Sequence, residues 1–547
     1  MGYSIGLDYG TLSVRAVLVN TETGAECASA VFDYPHGVMS ETLPSGKALG
    51  RDWALQDPQD YLDGLAAVVG GVLRKSGVKA DEIIGVGVDF TACTLLTVTE
   101  DGTPLCFLPE FADEPHAYAK LWKHHAAQPQ ADRINALAQA EHADWLERCG
   151  GKMSSEFAFP KILQTLDECP AVFDRAARFI EAGDWIVWMM TGRETHNSCM
   201  AGYKAAWSKA GYPDNAFWAK LNPKLGDLIG TKVSCAVIPS GTKAGEVHEA
   251  GAARTGLAVG TPVASPLIDG HAGMPALCVT EPGPMVLIVG TSSCHFLLSR
   301  ELCRVPGICG TVEDGILPGY YAYEAGQCCC GDHFDWFVHR CVPEAYMQEA
   351  AQRGISIHRL LREKAETLRP GESGLLALDW WNGNRSVLTD ADLSGVMLGM
   401  TLRTKPEEMY RALIEATAFG TRVIIDRFTE CGVAVNGIVA GGGIAEKDPM
   451  MMQIYADVTG REIRISASSQ TGALGSAIFG AAASGQLTVR EASERIGRLK
   501  DIVYRPIPEN QAIYAELYAE YRRLHDYFGC GENGVLYKLK ALRTRKI

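Results

Sequence analysis

The chain has 547 residues, 47% of them hydrophobic and 21% charged, which is the composition of a globular protein of about two to four domains. Its formal net charge of −14 at pH 7 argues against nucleic acid or an anionic membrane as a partner, because both repel an acidic surface. Apolar runs are too short to span a bilayer, the first residues lead directly into a predicted strand, and the 17 cysteines are scattered. We therefore expect a cytoplasmic protein with reduced thiols and no targeting signal.

The first predicted element is a hairpin near the start of the chain. Residues 4–7 and 14–19 are apolar and predict two strands, and the turn between them contains Asp8, Gly10 and Thr11. Glycine lets the backbone approach a ligand closely, so this turn can surround phosphate with backbone N–H groups and a hydroxyl. Asp8 could hold a hydrated Mg²⁺, and an ordinary hairpin with a turn aspartate is the alternative.

Helical segments dominate the next part of the chain. Apolar residues recur at three- and four-residue spacing over residues 58–74, and residues 83–88 predict a buried strand. Residues 113–147 predict helix with one polar face. Residues 155–192 predict two further helices, the second of which ends at Gly192.

A domain boundary is predicted near residues 256–262, after which the pattern of strands restarts. An apolar strand over residues 263–268 leads into a loop at Asp269. The end of a strand is a rigid place from which to present a catalytic carboxylate. An aspartate that only caps the turn is the alternative interpretation.

A second hairpin follows, about 280 residues after the first. Its predicted strands are residues 285–289 and 296–298, and Gly290 and Thr291 lie in the turn. The separation between Asp269 and this turn suits a helix plus a strand, so we expect both on neighbouring strands of one sheet. Two similar hairpins predict a duplicated α/β architecture that could hold a nucleotide's phosphates from both sides.

Three consecutive glycines mark the last predicted site. A strand over residues 437–440 enters Gly441, Gly442 and Gly443, which could form a flat floor for adenine; a flexible loop is the alternative. Asp448 then predicts the N-cap of a helix that stops at Gly460.

Two long helices complete the predicted elements, over residues 406–427 and 508–528. We expect one face of the second helix to be buried, because apolar residues recur along it at helical spacing. That face would contain Ile513, Leu517, Tyr521, Leu524 and Phe528.

Two common nucleotide-binding patterns are not supported. The chain has no G-x-x-x-x-G-K-[ST] segment, and its one G-x-G-x-x-G string, residues 529–534, follows a helix and is predicted to be a loop. The two turns, Asp269 and the glycine floor together predict a two-lobed ATP-dependent phosphotransferase.

Several strings resemble the FGGY family of carbohydrate kinases, within the superfamily of sugar kinases, heat-shock ATPases and actin. They are residues 393–399 (LSGVMLG), 410–419 (YRALIEATAF), 441–443 with Gln453, Ala456 and Asp457, and 184–186 with Thr191 and Gly192. The resemblance spans roughly residues 3 to 530. It implies two ribonuclease-H-like domains of the actin/hexokinase type with a central cleft. These would be a sugar-binding domain over 1–262, a nucleotide-binding domain over 263–490, and C-terminal helices over 491–547 that pack back on both.

Within the family, longer strings are similar to the members that phosphorylate L-ribulose. They are residues 88–94 (VDFTACT), 120–125 (KLWKHH), 150–156 (GGKMSSE), 305–310 (VPGICG), 323–327 (YEAGQ) and 379–385 (DWWNGNR). Many family members carry Trp-x-Asp-Arg near residue 112, where this chain has FADEPH. That departure weighs against glycerol and xylulose as substrates.

The resemblance implies transfer of the γ-phosphate of ATP, with Mg²⁺, to the primary hydroxyl of L-ribulose in L-arabinose catabolism. Asp269 matches the family's general base. The implied sugar-binding residues are Ala92, Lys204, Asp269 and Glu324; the ATP-binding residues are Gly10, Thr11, Gly290, Thr291, Gly442, Gly443 and Glu446; and Asp8 and Asp269 would hold Mg²⁺, with water between.

Two other functions stay open at this stage. One is a kinase of the same family for another pentulose or polyol, and the other is a non-catalytic, actin-like ATP-binding protein. A homodimer is one option for the assembly.

Overall fold

The computed structural model describes residues 2–544, which divide into two compact units. The first unit comprises residues up to Thr280 together with 310–322 and 470–498. The second comprises 281–309, 323–469 and the chain from Leu499 onward. The chain therefore passes between the units several times.

Strands and helices are numbered in chain order. The strands are β1 (Tyr3–Tyr9), β2 (Ser13–Asn20), β3 (Glu26–Asp33), β4 (Leu55–Gln56), β5 (Ile83–Phe90), β6 (Leu95–Val98), β7 (Ala119–Lys120), β8 (Arg178–Glu181), β9 (His196–Asn197), β10 (Val237–Ile238), β11 (Lys243–Glu246), β12 (Pro262–Ala264), β13 (Leu267–Ile268), β14 (Pro284–Val289), β15 (Ser293–Ser299), β16 (Gly310–Glu313), β17 (Tyr321–Gln327), β18 (Leu376–Leu378), β19 (Val396–Leu398), β20 (Gly437–Gly441), β21 (Ile463–Ser466) and β22 (Leu499–Tyr504). The helices are α1 (Pro58–Ser76), α2 (Gln128–Ala140), α3 (Ala158–Glu168), α4 (Pro170–Arg175), α5 (Ala182–Thr191), α6 (Ser198–Ala205), α7 (Asn215–Leu221), α8 (Leu228–Thr231), α9 (Glu249–Thr255), α10 (Asp269–Ala272), α11 (Gly331–Arg340), α12 (Glu344–Gln352), α13 (Ile357–Ala365), α14 (Pro406–Glu430), α15 (Gly443–Lys447), α16 (Pro449–Thr459), α17 (Thr471–Ala483), α18 (Val489–Ile496), α19 (Pro508–Gly529) and α20 (Val535–Thr544).

The first unit is built on a sheet in the order β11-β12-β5-β1-β2-β3, with β13 also beside β5. β1 pairs antiparallel with β2 and parallel with β5. The inward side chains of these strands are fully buried, Ile5 and Leu7 among them. A smaller sheet of β4, β7, β6 and β8 belongs to the same unit.

The second unit repeats this arrangement of strands. Its sheet contains β17, β15, β14, β20, β21 and β22 in that order. β14 pairs antiparallel with β15 and parallel with β20, so the hairpin and its parallel neighbour have the same topology as β1, β2 and β5.

Glycines allow α17 to pack directly on the first sheet. A Cβ on Gly6 would lie 1.7 Å from the carbonyl oxygen of Ala473, and Cβ atoms on Gly85 and Gly87 would lie 1.9 and 1.8 Å from other α17 carbonyl oxygens. Only residues without a side chain permit this approach of backbone to backbone. Residues 470–498 are thereby held against β1 and β5.

Both predicted hairpins and several helices are confirmed. α1 begins after Asp57, which accepts a hydrogen bond from the Gln59 N–H, and α5 ends at Gly192, whose φ is 68°. Asp448 caps α16 by accepting from the Met451 N–H, and Gly460 ends it in the left-handed conformation. The segment predicted as a loop after α19 does separate two helices.

Four details of the prediction are wrong. Residues 113–127 do not form an α-helix, because Pro115 begins only a single 3₁₀ turn over 115–117 and Lys120 is buried in β7. The segment 155–192 holds three helices and β8, not two helices. Pro266 divides the predicted strand 263–268 into β12 and β13, and Asp269 begins the short helix α10 rather than a loop.

The fourth error is the buried face of α19. Its buried residues are Tyr514, Tyr518, Tyr521 and His525, whereas Ile513 is 39% exposed. The tyrosine hydroxyls find partners inside the unit, since Tyr514 donates to Glu415 and Tyr521 donates to Asp379. Tyrosine can then be buried in preference to the aliphatic residues beside it.

The division into units differs from the predicted boundaries at 262 and 490. β13 pairs with β5, so the chain stays with the first sheet as far as Thr280. Segment 470–498 returns to that sheet through α17, and the predicted C-terminal helical region also contributes the strand β22 to the second sheet.

No helix within residues 2–544 has the combination of length and apolar character needed to cross a membrane.

Candidate active site

Three strands of the first sheet end in carboxylates at the same edge. β1 and β5 run parallel with Asp8 opposite Asp89, and β13 lies on the other side of β5 with Leu267 opposite Asp89. Asp269 directly follows β13, as the first residue of α10. The carboxyl ends of parallel strands are where open α/β sheets bind ligands. The topology therefore gathers Asp8, Asp89 and Asp269 into one acidic edge.

The first turn of α17 lies against this edge. A Cβ on Gly472 would be 3.3 Å from Asp8 Oδ2 and 3.6 Å from Asp89 Oδ2. Ser476 donates from Oγ to Asp89 Oδ2 at 2.6 Å. The positive end of a helix dipole and a hydroxyl donor both stabilise negative charge there.

The electrostatics of the edge reflect burial and mutual repulsion. Burial raises the pKa of Asp8, with Arg15 acting in the opposite direction from 3.4 Å. Burial, followed by the charge of Asp8, raises the pKa of Asp89 well above its usual range, and Asp269 adds to this. Asp89 Oδ1 is buried without a hydrogen-bond partner. A cation beside these groups would relieve the repulsion.

A divalent cation fits this edge through water better than by direct ligation. Among the described residues, His525, Asp526 and Cys530 alone bring three possible ligand atoms within 4.8 Å of one another, so the three aspartates do not form a compact cage. Mg²⁺ keeps several waters when one or two carboxylates hold it. The orphaned oxygen of Asp89 and the partly exposed Asp8 and Asp269 suit such a hydrated ion.

Gly10 and Thr11 form the tight turn between β1 and β2, as predicted. The Gly10 N–H donates to the Ser13 carbonyl at 3.0 Å. Two side chains hold Thr11 from outside the hairpin: Trp122 donates from Nε1 to Oγ1 at 3.1 Å, and Gln56 donates to the Thr11 carbonyl at 2.7 Å. Trp122 belongs to the KLWKHH string, which therefore supports the turn.

Ala92 and Lys204 are brought to the same region of the first unit. Ala92 lies in the turn just after β5. Lys204 lies in the last turn of α6, with Nζ 5.4 Å from the centre of the Phe157 ring. Burial raises the pKa of the Cys93 thiol to about 12, and the nearby charge of Lys204 opposes this rise. Buried Lys161 donates to the carbonyl of Cys93, so a second lysine holds this turn in place.

The predicted phosphate turn of the second unit borders a cavity of about 820 Å³. Gly290, Thr291 and Gly443 line it, opposite aromatic and basic side chains that include Tyr410 and Arg362. Its volume is within the range of small-molecule binding sites, about 300–1,000 Å³. The structure thus joins the second turn to the glycine segment, as the sequence predicted.

Within the glycine segment the three residues differ in what surrounds them. Gly441 ends β20, and Gly442 has φ 93° with its Cβ position only 2.5 Å from the Val289 carbonyl oxygen. Gly443 has open space where a Cβ would stand. Glu446, one helical turn on, has one buried carboxylate oxygen without a partner. Gly442 thus serves the packing of β14 and α15, while Gly443 faces available space.

Glu324 lies on β17 of the second unit and is 8% exposed. Its carbonyl accepts a hydrogen bond from the Cys309 N–H at 2.8 Å. Its side chain lies close enough to Arg385 to affect the pKa of that guanidinium.

One predicted relationship is wrong. Asp269 and the Gly290 turn are not on neighbouring strands of one sheet, because β13 pairs with β5 and β14 pairs with β15 and β20. The short helix α10 and the segment after it separate two sheets rather than two strands of one sheet.

Asp89 and Gly472 are site residues to which the sequence reasoning gave no role. Asp89 directly follows the predicted strand 83–88 within the VDFTACT string, and no pattern in the sequence assigns a function to residues 471–473. The sequence did contain a signal for Asp89, because β1 and β5 are similar: in each strand an apolar run is followed by aspartate. Gly472 approaches Asp8 and Asp89 only through tertiary packing, so nothing in the local sequence predicts its position.

Solved structures with the same fold are sugar kinases. A xylulose kinase from Rhodospirillum rubrum has a TM-score of 0.80 at 22% identity, covering 96% of this chain and 98% of that one. A gluconate kinase from Lactobacillus acidophilus also has a TM-score of 0.80, at 18% identity, covering 97% and 99%. These similarities confirm the predicted α/β fold with two domains of the actin/hexokinase type.

Sequence comparison then identifies the family. The N-terminal domain of the FGGY family of carbohydrate kinases matches residues 3–276, and its C-terminal domain matches residues 285–484. The chain therefore belongs to the FGGY family of carbohydrate kinases, and it is an ATP-dependent enzyme of that class.

The curated relatives resemble it over almost their whole length. A ribulokinase from Bacillus licheniformis is 54% identical over 540 residues, 97% of this chain and 98% of the relative. A ribulokinase from Halalkalibacterium halodurans is 52% identical, with 99% and 98% covered.

Proposed function

We propose that this enzyme phosphorylates L-ribulose with ATP, yielding L-ribulose 5-phosphate and ADP, as a step of L-arabinose catabolism. The observation that carries the proposal is 54% identity to a ribulokinase across 97% of the chain. The VDFTACT string, residues 88–94, contains Asp89 and Ala92 of the candidate site.

Asp269 is the proposed general base. Its carboxylate stands at the end of β13, partly exposed, on the rigid acidic edge of the first sheet. It would accept the proton of the sugar's primary hydroxyl as that oxygen attacks the γ-phosphorus. Asp269 Oδ1 accepts from the Gly270 N–H at 2.7 Å, which restricts the orientation of the carboxylate.

The sugar's other hydroxyls are assigned to Lys204, Glu324 and the backbone at Ala92. The ammonium group of Lys204 can donate to hydroxyl oxygens, and a Glu324 carboxylate can accept from two neighbouring hydroxyls. The buried environment of Glu324 strengthens such hydrogen bonds, because water competes less for them.

ATP is assigned to Gly10 and Thr11 in the first unit and to the 820 Å³ cavity in the second. In the cavity, Gly290 and Thr291 offer backbone and hydroxyl groups for phosphate, and Gly443 offers free space. Glu446, three residues after Gly443, is the remaining assigned residue and has one unpartnered buried oxygen. Mg²⁺, held through water by Asp8 and Asp269, would neutralise charge on the transferred phosphoryl group.

The proposal includes a cytoplasmic location. All 17 cysteines are free thiols in the structure, several of them buried, which suits a reducing compartment that also supplies ATP.

A coupled ADP-release assay with a panel of sugars tests this function. We expect the largest kcat/KM with L-ribulose, and a product whose phosphate is on the primary carbon by ³¹P–¹H correlation. D-xylulose, L-xylulose, D-ribulose and glycerol are the comparisons. A larger kcat/KM for xylulose or glycerol would contradict the proposal, and so would ADP release that no sugar stimulates.

A further inference from the structure

The DWWNGNR string, residues 379–385, has no role in the mechanism above, although it is among the longest strings shared with kinases of L-ribulose. It follows β18 and lies wholly within the second unit. Both ends of the string are attached to β17, the strand that carries Glu324.

Asp379 attaches the first end. Its carboxylate accepts from Gln327 Nε2 at 2.8 Å and from the Tyr521 hydroxyl at 2.8 Å. Gln327 is the last residue of β17, and its Oε1 accepts from Ser293 and Thr421. The Asp379 carboxylate, the Gln327 amide and the three hydroxyl groups are all buried and hydrogen-bonded, so the start of the string is rigidly placed.

Ser386 attaches the other end. Its hydroxyl oxygen accepts from the Gly326 N–H at 3.2 Å and lies 3.9 Å from Cys309 Sγ. Cys309 in turn donates its N–H to the Glu324 carbonyl at 2.8 Å. Residues 385 and 386 are therefore positioned against the stretch of β17 that holds Glu324.

Arg385 lies over the face of β17 to which Glu324 points. Side chains two apart on a strand share a face, so Glu324 and Gly326 point the same way. A Cβ on Gly326 would be 3.2 Å from Arg385 Cδ and 3.3 Å from its Nη1. The absence of a side chain at Gly326 makes room for this guanidinium group beside Glu324.

The charge environment agrees with this geometry. Burial acts against the charge of Arg385, but Cys309, Cys294, Cys328 and Glu324 surround it and raise its pKa. Glu324 is the carboxylate among them. A buried guanidinium and a buried carboxylate stabilise each other only when they are paired, since each alone is costly to desolvate.

We propose that Arg385 is the positioning residue of the sugar subsite: its guanidinium holds the Glu324 carboxylate ionised and oriented to accept hydrogen bonds from the sugar's hydroxyls. This inference rests on the proposed function, because it assigns Glu324 to the sugar. It gives the DWWNGNR string a role, which is to position Glu324. Asp379 and Ser386 fix the loop, and Arg385 acts through Glu324.

Steady-state kinetics of Arg385→Met and Arg385→Lys test the inference. Loss of a charge-assisted interaction predicts a 10- to 100-fold rise in KM for L-ribulose in Arg385→Met, on the order of that loss in binding. KM for ATP should stay within about twofold, since Arg385 does not line the nucleotide cavity. Arg385→Lys should recover part of the loss because it restores the charge. Arg403→Met, at an exposed arginine of the same unit, is the matched control and should leave both constants unchanged.

A double-mutant cycle with Glu324→Gln separates positioning from general damage to the fold. If Arg385 acts through Glu324, adding Arg385→Met to Glu324→Gln should raise KM for the sugar by less than about threefold. Multiplicative effects in the double variant, or an unchanged sugar KM in Arg385→Met, would overturn the inference while wild-type turnover of L-ribulose upholds the function. Absence of L-ribulose turnover in the wild type would instead refute the function. Thermal melts identify any variant that fails to fold, and Arg385→Lys then supplies the comparison.

Gly326→Ala is an independent variant that moves Arg385 without removing its charge. The new methyl would stand 3.2 Å from Arg385 Cδ and 2.8 Å from the Ser293 carbonyl oxygen. We expect the same selective rise in KM for the sugar. A folded Gly326→Ala enzyme with wild-type sugar KM would count against the inference.

Discussion

The two units contain the same local topology with different residues at the same places. In the first, β1 pairs antiparallel with β2 and parallel with β5; in the second, β14 pairs in the same way with β15 and β20. Both hairpins turn at a Gly-Thr pair, and the N–H groups of Gly10 and Gly290 each close the turn at 3.0 Å.

The parallel partners show the difference. In the first sheet Asp8 stands opposite Asp89, whereas in the second Ile288 stands opposite Gly441. Carboxylates at the strand ends suit a proton acceptor and a hydrated cation, as at Asp269. Glycine and aliphatic residues instead let the backbone approach a large ligand in a cavity. The same backbone arrangement thus suits two different kinds of candidate site, and the side chains at the strand ends determine which kind is present.

Asp269→Asn should produce the largest effect, because it removes the proposed base from the acidic edge. We expect kcat to fall about 10²- to 10⁴-fold, the usual contribution of a general base, while ATP affinity stays nearly unchanged. Single-turnover kinetics and nucleotide titration measure the two quantities. Turnover within about tenfold of wild type would remove Asp269 from this role.

The packing of α17 distinguishes the two sheets by stability. Gly87→Ala places a methyl 1.8 Å from the Ser476 carbonyl oxygen and should lower the free energy of unfolding by about 3 kcal/mol. In Gly437→Ala, on β20 of the second sheet, the new methyl would lie 3.7 Å from the nearest atom, the Glu462 carbonyl oxygen. This variant should change stability by less than about 1 kcal/mol. Urea titrations compare them; equal effects would show that α17 does not pack as described.

Asp89→Asn tests whether the third carboxylate matters to the first site. The variant keeps the shape and can still accept from Ser476, but it removes an ionisable group beside Asp8 and Asp269. We expect kcat/KM to fall about tenfold or more, with a higher Mg²⁺ concentration at half-maximal rate. Ser476→Ala is the control that removes only the donor. An unaltered Mg²⁺ dependence would confine the role of Asp89 to structure.

Gly443→Ala tests the second site by occupying its free space. The cavity should lose room for the nucleotide, and KM for ATP should rise about tenfold while the melting temperature stays unchanged. Gly534→Ala, in a loop where a Cβ also meets open space, is the matched control. Identical KM values for the two variants would place ATP away from Gly443.

The last prediction concerns how a buried lysine of the first unit makes the free energy of unfolding depend on pH. Burial lowers the pKa of Lys120 from 10.5 to about 7, so between these values the unfolded chain binds a proton that the folded chain does not. The contribution of Lys120 to stability is therefore lost as the pH falls from 10.5 towards 7 and is constant below.

Urea titrations at pH 7 and pH 9 check this sign. Wild type should gain about 2 kcal/mol relative to Lys120→Met as the pH rises. The exposed Lys538→Met of the second unit is the control and should show no such change. Absence of any gain would mean that Lys120 keeps its proton in the folded chain.

Local patterns predicted much of the fold. Apolar runs with small turns gave both hairpins, and capping residues such as Asp448 and Gly460 set the ends of α16. These features depend on a few neighbouring residues, so they are readable without the fold. On the buried face of α19, Tyr521 was predicted correctly, whereas Tyr514 was missed because its hydroxyl partner Glu415 comes from a distant segment.

For the candidate site, individual residues could be predicted but their arrangement could not. The family resemblance nominated Asp269, Lys204 and Glu324, but the sheet to which Asp269 belongs was misjudged. The pairing of β13 with β5 depends on long-range contacts that spacing along the chain does not encode. The same is true of Asp89, whose neighbours Asp8 and Ser476 lie 81 and 387 residues away.

By itself, the sequence determined the class of enzyme, the strand–turn–strand units and the residues able to do the chemistry, because residue type and short spacing carry that information. Only the tertiary structure decided which groups meet. It joined three strand ends into an acidic edge, packed α17 onto glycines of β1 and β5, and placed Arg385 beside Gly326 of β17. Such contacts arise when distant segments bury their surfaces together, so they follow from the packing of the whole unit and not from any one segment.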